Sequence, residues 1–121
     1  MATDIQTYRR SFQARLQQSL EEREARRKKA LKEIKAVIPV ILTKYPTINT
    51  VYLFGSVLQS GRFRADSDID LAIEGSTAED YFALWRDLQE ALSDWFIDLR
   101  DLPPDTLFTQ RVYETGEKIY G

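Results

Sequence analysis

The chain has no cysteine and no histidine among its 121 residues. The first absence excludes a disulfide framework and a zinc–thiolate centre. The second removes Ser-His and Cys-His nucleophile pairs and imidazole-bound metals. Any metal must then be held by oxygen, which suits magnesium best. No run of about eighteen apolar residues occurs, so no membrane span is expected. The N-terminal stretch "MATDIQTYRRSFQ" contains no apolar signal segment, and a cytoplasmic location is the resulting expectation. Charge of one sign is also lacking: 17 basic and 19 acidic side chains leave a net -2. That balance provides no global field for holding DNA or RNA, and no direct nucleic-acid binding is expected. What remains is a chain 43% hydrophobic, without repeats or low-complexity segments, sized for a single domain around one core. That length leaves little room for a second, substrate-binding domain.

Periodicity predicts a helix from residue 4 to about 38, with Ile5, Tyr8, Phe12, Leu16 and Leu20 along one face. This apolar stripe either packs on the same domain or meets a partner or second copy. The block "EEREARRKK" reads as a solvated helix face, with Glu22–Arg26 and Glu24–Lys28 as i,i+4 pairs. Leu31, Ile34, Ile38, Ile41 and Leu42 resume the stripe, and Pro39 should bend or end it. The expected organisation is an N-terminal helical extension over 1–27 and a main domain over 28–121. Within the latter, Val51–Phe54 and Asp68–Glu74 read as strands. Ser76 and Glu79 have capping-box spacing for a helix to about Leu92, whose core face is Phe82, Trp85, Leu88 and Leu92. Trp95–Leu99 reads as a third strand, and Asp105 as the cap of a last helix ending at Gly116. Lys118–Tyr120 forms a terminal strand or a docked tail. The result is an α+β domain, a small sheet covered by helices.

Chemistry concentrates in "LFGSVLQSGRFRADSDIDLAI". Alternation along a strand projects Asp68 and Asp70 together while Ile69 and Leu71 face the core. Two carboxylates so close repel one another, and a divalent cation is the simplest compensation. Asp98, embedded in "WFIDL", is a third acid of the same kind. If its strand lies beside Asp68–Glu74, the three converge and can hold two magnesium ions for phosphoryl-group displacement. Gly55-Ser56, directly after an apolar strand, allows close approach of a phosphate and adds a hydroxyl.

"FGS…SDIDLAI" with "WFIDLRDLPP" resembles the minimal nucleotidyltransferases of the DNA polymerase beta superfamily, whose signature is Gly-Ser, a spacer and Asp-x-Asp. The resemblance runs from about Ile34 to the closing "ETGEKIYG" and implies the palm-like nucleotidyltransferase fold. It implies that Gly55 and Ser56 hold the triphosphate, that Asp68 and Asp70 bind magnesium, and that Asp98 stands near the attacking hydroxyl. The family often has an Arg-Ala-Arg-Gly run directly after the serine. Here that run is Val57-Leu58-Gln59-Ser60-Gly61, and the eleven residues between Ser56 and Asp68 are one more than usual. Arg62 and Arg64 are the replacement candidates for the phosphate cation. Many family members of this size are antitoxins paired with a HEPN ribonuclease toxin, so the resemblance implies a hetero-oligomer. It also implies transfer of AMP from ATP to a toxin tyrosine. Two other readings stay open at this point: an antitoxin acting by binding alone, and transfer to a small molecule or a nucleic-acid end.

Overall fold

The computed structural model describes the backbone of residues 2–121 and side chains from Asp4 onward. Its elements are α1 (Ala2–Ile41), β1 (Thr50–Phe54), β2 (Ile69–Glu74), α2 (Ala78–Ala91), β3 (Ile97–Asp101), α3 (Leu107–Thr115) and β4 (Glu117–Tyr120). The strands form one sheet in the order β3-β2-β1-β4. β1 is antiparallel to β2 and β4, whereas β2 and β3 are parallel. The parallel step needs a crossover, and α2 is that crossover. Lys118–Tyr120 thus belongs to an edge strand, and the mixed sheet with helices on it is the expected α+β arrangement. Among the described residues, no helix is long and apolar enough to cross a membrane.

The two faces of the sheet are covered differently. On one, Val51, Leu53, Ile69, Leu71, Ile73, Ile97 and Leu99 are buried against Ala30, Ile34 and Ile38 of α1 and Leu84 and Leu88 of α2. On the other, α3 sets Phe108 and Val112 over Tyr52, Phe54, Ala72 and Leu102. A long helix is required on the first face because that face is apolar along its whole length. α1 continues through Pro39 to Ile41 and then tightens into a 3-10 turn over Leu42–Lys44. The proline lies so close to the helix end that few backbone bonds depend on it.

Several local expectations move by one residue. The buried stripe of α2 is Tyr81, Leu84, Leu88 and then Leu92, while Phe82 and Trp85 are 62% and 42% exposed. A rotation of one residue, about 100°, separates the two readings. Tyr81 holds the inner position because its hydroxyl donates to the Leu99 carbonyl, and Trp85 lies over the sheet edge, its indole N–H donating to the Ile97 carbonyl. Thr77, not Ser76, caps α2, accepting from the Asp80 amide at 3.1 Å. Ser76 instead donates to Asp101. Likewise Thr106, not Asp105, caps α3 through the Thr109 amide. Asp105 occupies the left-handed region at φ 63° and serves the turn before it. Gly116 ends α3 in extended rather than left-handed backbone. Its smallness answers crowding: a Cβ there would lie 2.5 Å from the Val112 carbonyl oxygen and 2.8 Å from that of Leu53.

Ile5, Tyr8, Phe12 and Leu16 are exposed, from 48% to 75%, so this stripe does not pack back on the domain. The charged block departs from expectation in the other direction. Arg23, Glu24, Arg26 and Arg27 are half-buried, and their ion pair is Glu24–Arg27 at i,i+3. They lie against the loop joining β1 to β2, whose Phe63 is fully buried with its ring 5.9 Å from that of Trp95. Phe63→Ala removes this anchor and should lower unfolding free energy by about 3–5 kcal/mol, measured by urea titration. A loss below about 1 kcal/mol would show that the loop contributes nothing to the core.

Candidate active site

Asp68, Asp70 and Asp98 converge because of strand register. The Ile69 amide donates to the Phe96 carbonyl at 2.8 Å and joins β2 to β3 at their first residues. The parallel register then sets Asp70 beside Asp98, and alternation turns both to the α3 face. Asp68, one residue before β2, reaches the same corner. One carboxylate oxygen from each lies within 4.8 Å of the others. α3 covers Phe54, with ring centroids 5.4 Å apart at Phe108, beside the acidic corner. Asp70 and Asp98 are half-buried there, and Asp68 is exposed.

Burial, then the charges of Asp98 and Asp68, push the Asp70 carboxyl from its usual 3.8 up to about 6. Arg100, same-faced two residues beyond Asp98, pairs with it at 3.4 Å and also lies over the Phe108 ring. One guanidinium opposes three carboxylates, so the corner is short of positive charge. An all-oxygen donor set with a deficit of cations fits a hard divalent metal such as magnesium.

Gly55 follows β1 directly, at φ +77°. A Cβ on it would stand 2.2 Å from the Asp70 Oδ2. The glycine therefore makes room for a carboxylate as well as for the turn. Ser56 borders a cavity of about 560 Å³ shared with Gln59, Gly61, Arg62, Arg64 and Ser67. The Ser67 hydroxyl accepts from the Arg64 amide at 2.9 Å and closes the loop just before Asp68. All five residues singled out in the sequence thus lie around one corner. Sequence reasoning missed Arg100, whose i+2 spacing from Asp98 on a strand was the available signal. It also missed the α1 arginines on the loop, for which the linear sequence carried no signal.

The family model "Polymerase beta, Nucleotidyltransferase" matches residues 32–121. The chain belongs to this nucleotidyltransferase family. No curated protein matches the sequence. Among solved structures, the nucleotidyltransferase is similar to a toxin–antitoxin bound to AMP-PNP, at 30% identity and TM-score 0.59 over 72% of this chain and 73% of that one. It is similar to the MntA–HepT toxin–antitoxin, at 27% identity and TM-score 0.53 over 72% and 69%. A third is the tri-AMPylated Shewanella oneidensis HEPN toxin in complex with MNT antitoxin, at 28% identity and TM-score 0.53 over 72% and 69%.

Because folded Asp70 holds its proton more tightly than unfolded chain does, it favours folding fully below about pH 4 and loses that contribution as pH rises through about 6. After screening the effect is on the order of 2 kcal/mol. Metal-free protein should therefore melt lower at pH 8 than at pH 5, and Asp70→Asn should flatten that slope. Magnesium should raise the melting midpoint at pH 8 and scarcely at pH 5. Calorimetry across this range checks it, and a wild-type slope retained in Asp70→Asn would refute the assignment. Gly55→Ala should weaken the magnesium response about tenfold by displacing Asp70, read in the same titration.

Proposed function

We propose that this nucleotidyltransferase is an antitoxin that transfers AMP from ATP to a tyrosine hydroxyl of a HEPN-type toxin and so neutralises it, forming a hetero-oligomer with it in the cytoplasm. The observation that carries the reading is the corner of three carboxylates beside Gly55-Ser56. The likeness to a toxin–antitoxin with AMP-PNP and to a complex with a tri-AMPylated HEPN toxin supports nucleotide and acceptor.

In this reading Asp68, Asp70 and Asp98 hold magnesium, two ions when the site is full. When bound, the metal supplies positive charge to the triphosphate and to the reacting oxygens. Gly55 and Ser56 hold the phosphate chain at the cavity mouth, and Arg62 and Arg64 offset its charge from the cavity wall. Asp98 faces the acceptor. A tyrosine hydroxyl, ordinarily near pKa 10, must lose its proton to attack, and the Asp98 carboxylate receives it. Arg100 keeps that carboxylate oriented. The tyrosine oxygen bonds to the α-phosphorus, the bond to the β-phosphate oxygen breaks, and pyrophosphate leaves.

Incubation with magnesium, ATP and the HEPN partner should add the mass of one or more AMP groups to the partner and silence its ribonuclease activity. An unmodified, active partner would refute the function. Asp68→Asn combined with Asp70→Asn should slow transfer about a hundredfold or more. Full protection by that variant would assign neutralisation to binding alone.

A further inference from the structure

The loop between β1 and β2 carries Ser56, Arg62, Arg64 and Ser67, and beyond a 3-10 turn over Gly55–Leu58 it has no regular structure. Its amides form local turns: Gln59 to Ser56, Arg62 to Gln59 and Ser67 to Arg64. Three of its carbonyls are satisfied from outside. Arg27 Nη1 donates to Val57 at 3.3 Å, Arg23 Nη1 to Gly61 at 3.4 Å, and Arg26 Nη2 to Ala65 at 3.2 Å. The Ser60 hydroxyl donates to Glu24 at 3.0 Å. These contacts span the loop from one end almost to the other.

The donors come from one helical face. Arg23, Arg26 and Arg27 continue the line of Ala30, Ile34 and Ile38, so the face of α1 that is apolar over the sheet becomes basic over the loop. The arginines are themselves fixed. Glu24 holds Arg27 through two bonds, at 2.5 and 3.0 Å. That pairing keeps the Glu24 carboxyl down at about 2, hence ionised at any physiological pH. The Arg26 guanidinium lies 4.6 Å over Trp95, whose ring also meets Phe63, the loop's buried anchor. The loop is thus gripped on its inner side by Phe63 and on its outer side by α1.

We propose that Arg23, Arg26 and Arg27 are positioning residues for the nucleotide: they hold the loop so that Ser56, Arg62 and Arg64 keep one arrangement around the phosphate cavity. This rests on the nucleotide reading given above. The functional unit then begins by Arg23, ahead of the family match at 32–121, and a cut at residue 28 would sever the site from its support.

The test is Arg23→Ala with Arg27→Ala, both on a helix surface where alanine suits the fold. Binding of magnesium–AMP-PNP is measured by calorimetry and amide exchange over 57–66 by mass spectrometry. The expected result is about a tenfold rise in Kd and faster exchange confined to that loop. Lysine at both positions keeps one donor to each carbonyl and should restore part of both. Arg15→Ala, which removes a bond within the helix to the Ser11 carbonyl, should change neither. Wild-type affinity and unchanged loop exchange in the double alanine variant would overturn the proposal. Failure of wild-type protein to bind magnesium–AMP-PNP would overturn the nucleotide reading instead, and loop exchange would still decide the clamp.

Discussion

Three carboxylates gathered in one half-buried corner repel one another, and much of the molecule is arranged around tolerating that. The parallel register of β2 and β3 brings Asp70 and Asp98 side by side, and Asp68 approaches from the preceding loop. Gly55 has no Cβ because the Asp70 carboxylate occupies its space. Arg100 neutralises part of the charge, and the corner stays partly open to solvent, with Asp68 exposed. Burial and the neighbouring Asp98 and Asp68 charges push the Asp70 carboxyl up, which marks the repulsion left uncompensated in the free protein. A fold shaped only for stability would relieve this repulsion with an apolar residue, since unpaired buried charge is costly.

The sheet divides scaffold from chemistry. Its α1–α2 face is continuous core and fixes the strands, while its α3 face is partly covered and presents the acids. A rigid core behind the carboxylates matters because metal and phosphate geometry tolerate little displacement. The loop opposite them has no such sheet behind it. Its order comes from Phe63 inward and from the α1 arginines outward, so a helix that begins far from the site reaches it through backbone carbonyls.

Much of this was legible in the linear chain because periodicity and spacing encode local structure. Alternation placed Ile69 and Leu71 inward and the two aspartates outward, and the apolar runs marked three strands. Errors came where neighbours decide. Phe82 and Trp85 have the spacing of a core stripe, but the sheet accepts Tyr81 and Leu84, a rotation that hydrophobicity cannot distinguish. Thr77 and Thr106 cap helices whose neighbouring Ser76 and Asp105 are equally good caps by type. The block "EEREARRKK" looks solvated because its bond acceptors are carbonyls nearly forty residues away.

By itself, the sequence determined the oxygen-only donor set, the same-faced Asp68–Asp70 pair at the start of a strand, and the order of elements. Each follows from residue identity or from the fixed geometry of a strand or helix. Tertiary structure decided that Asp98 completes the set, that Gly55 is demanded by a carboxylate, and that the basic turns of α1 hold the loop. Those depend on strand pairing and packing between distant segments, where contact is set by the whole core and not by spacing along the chain.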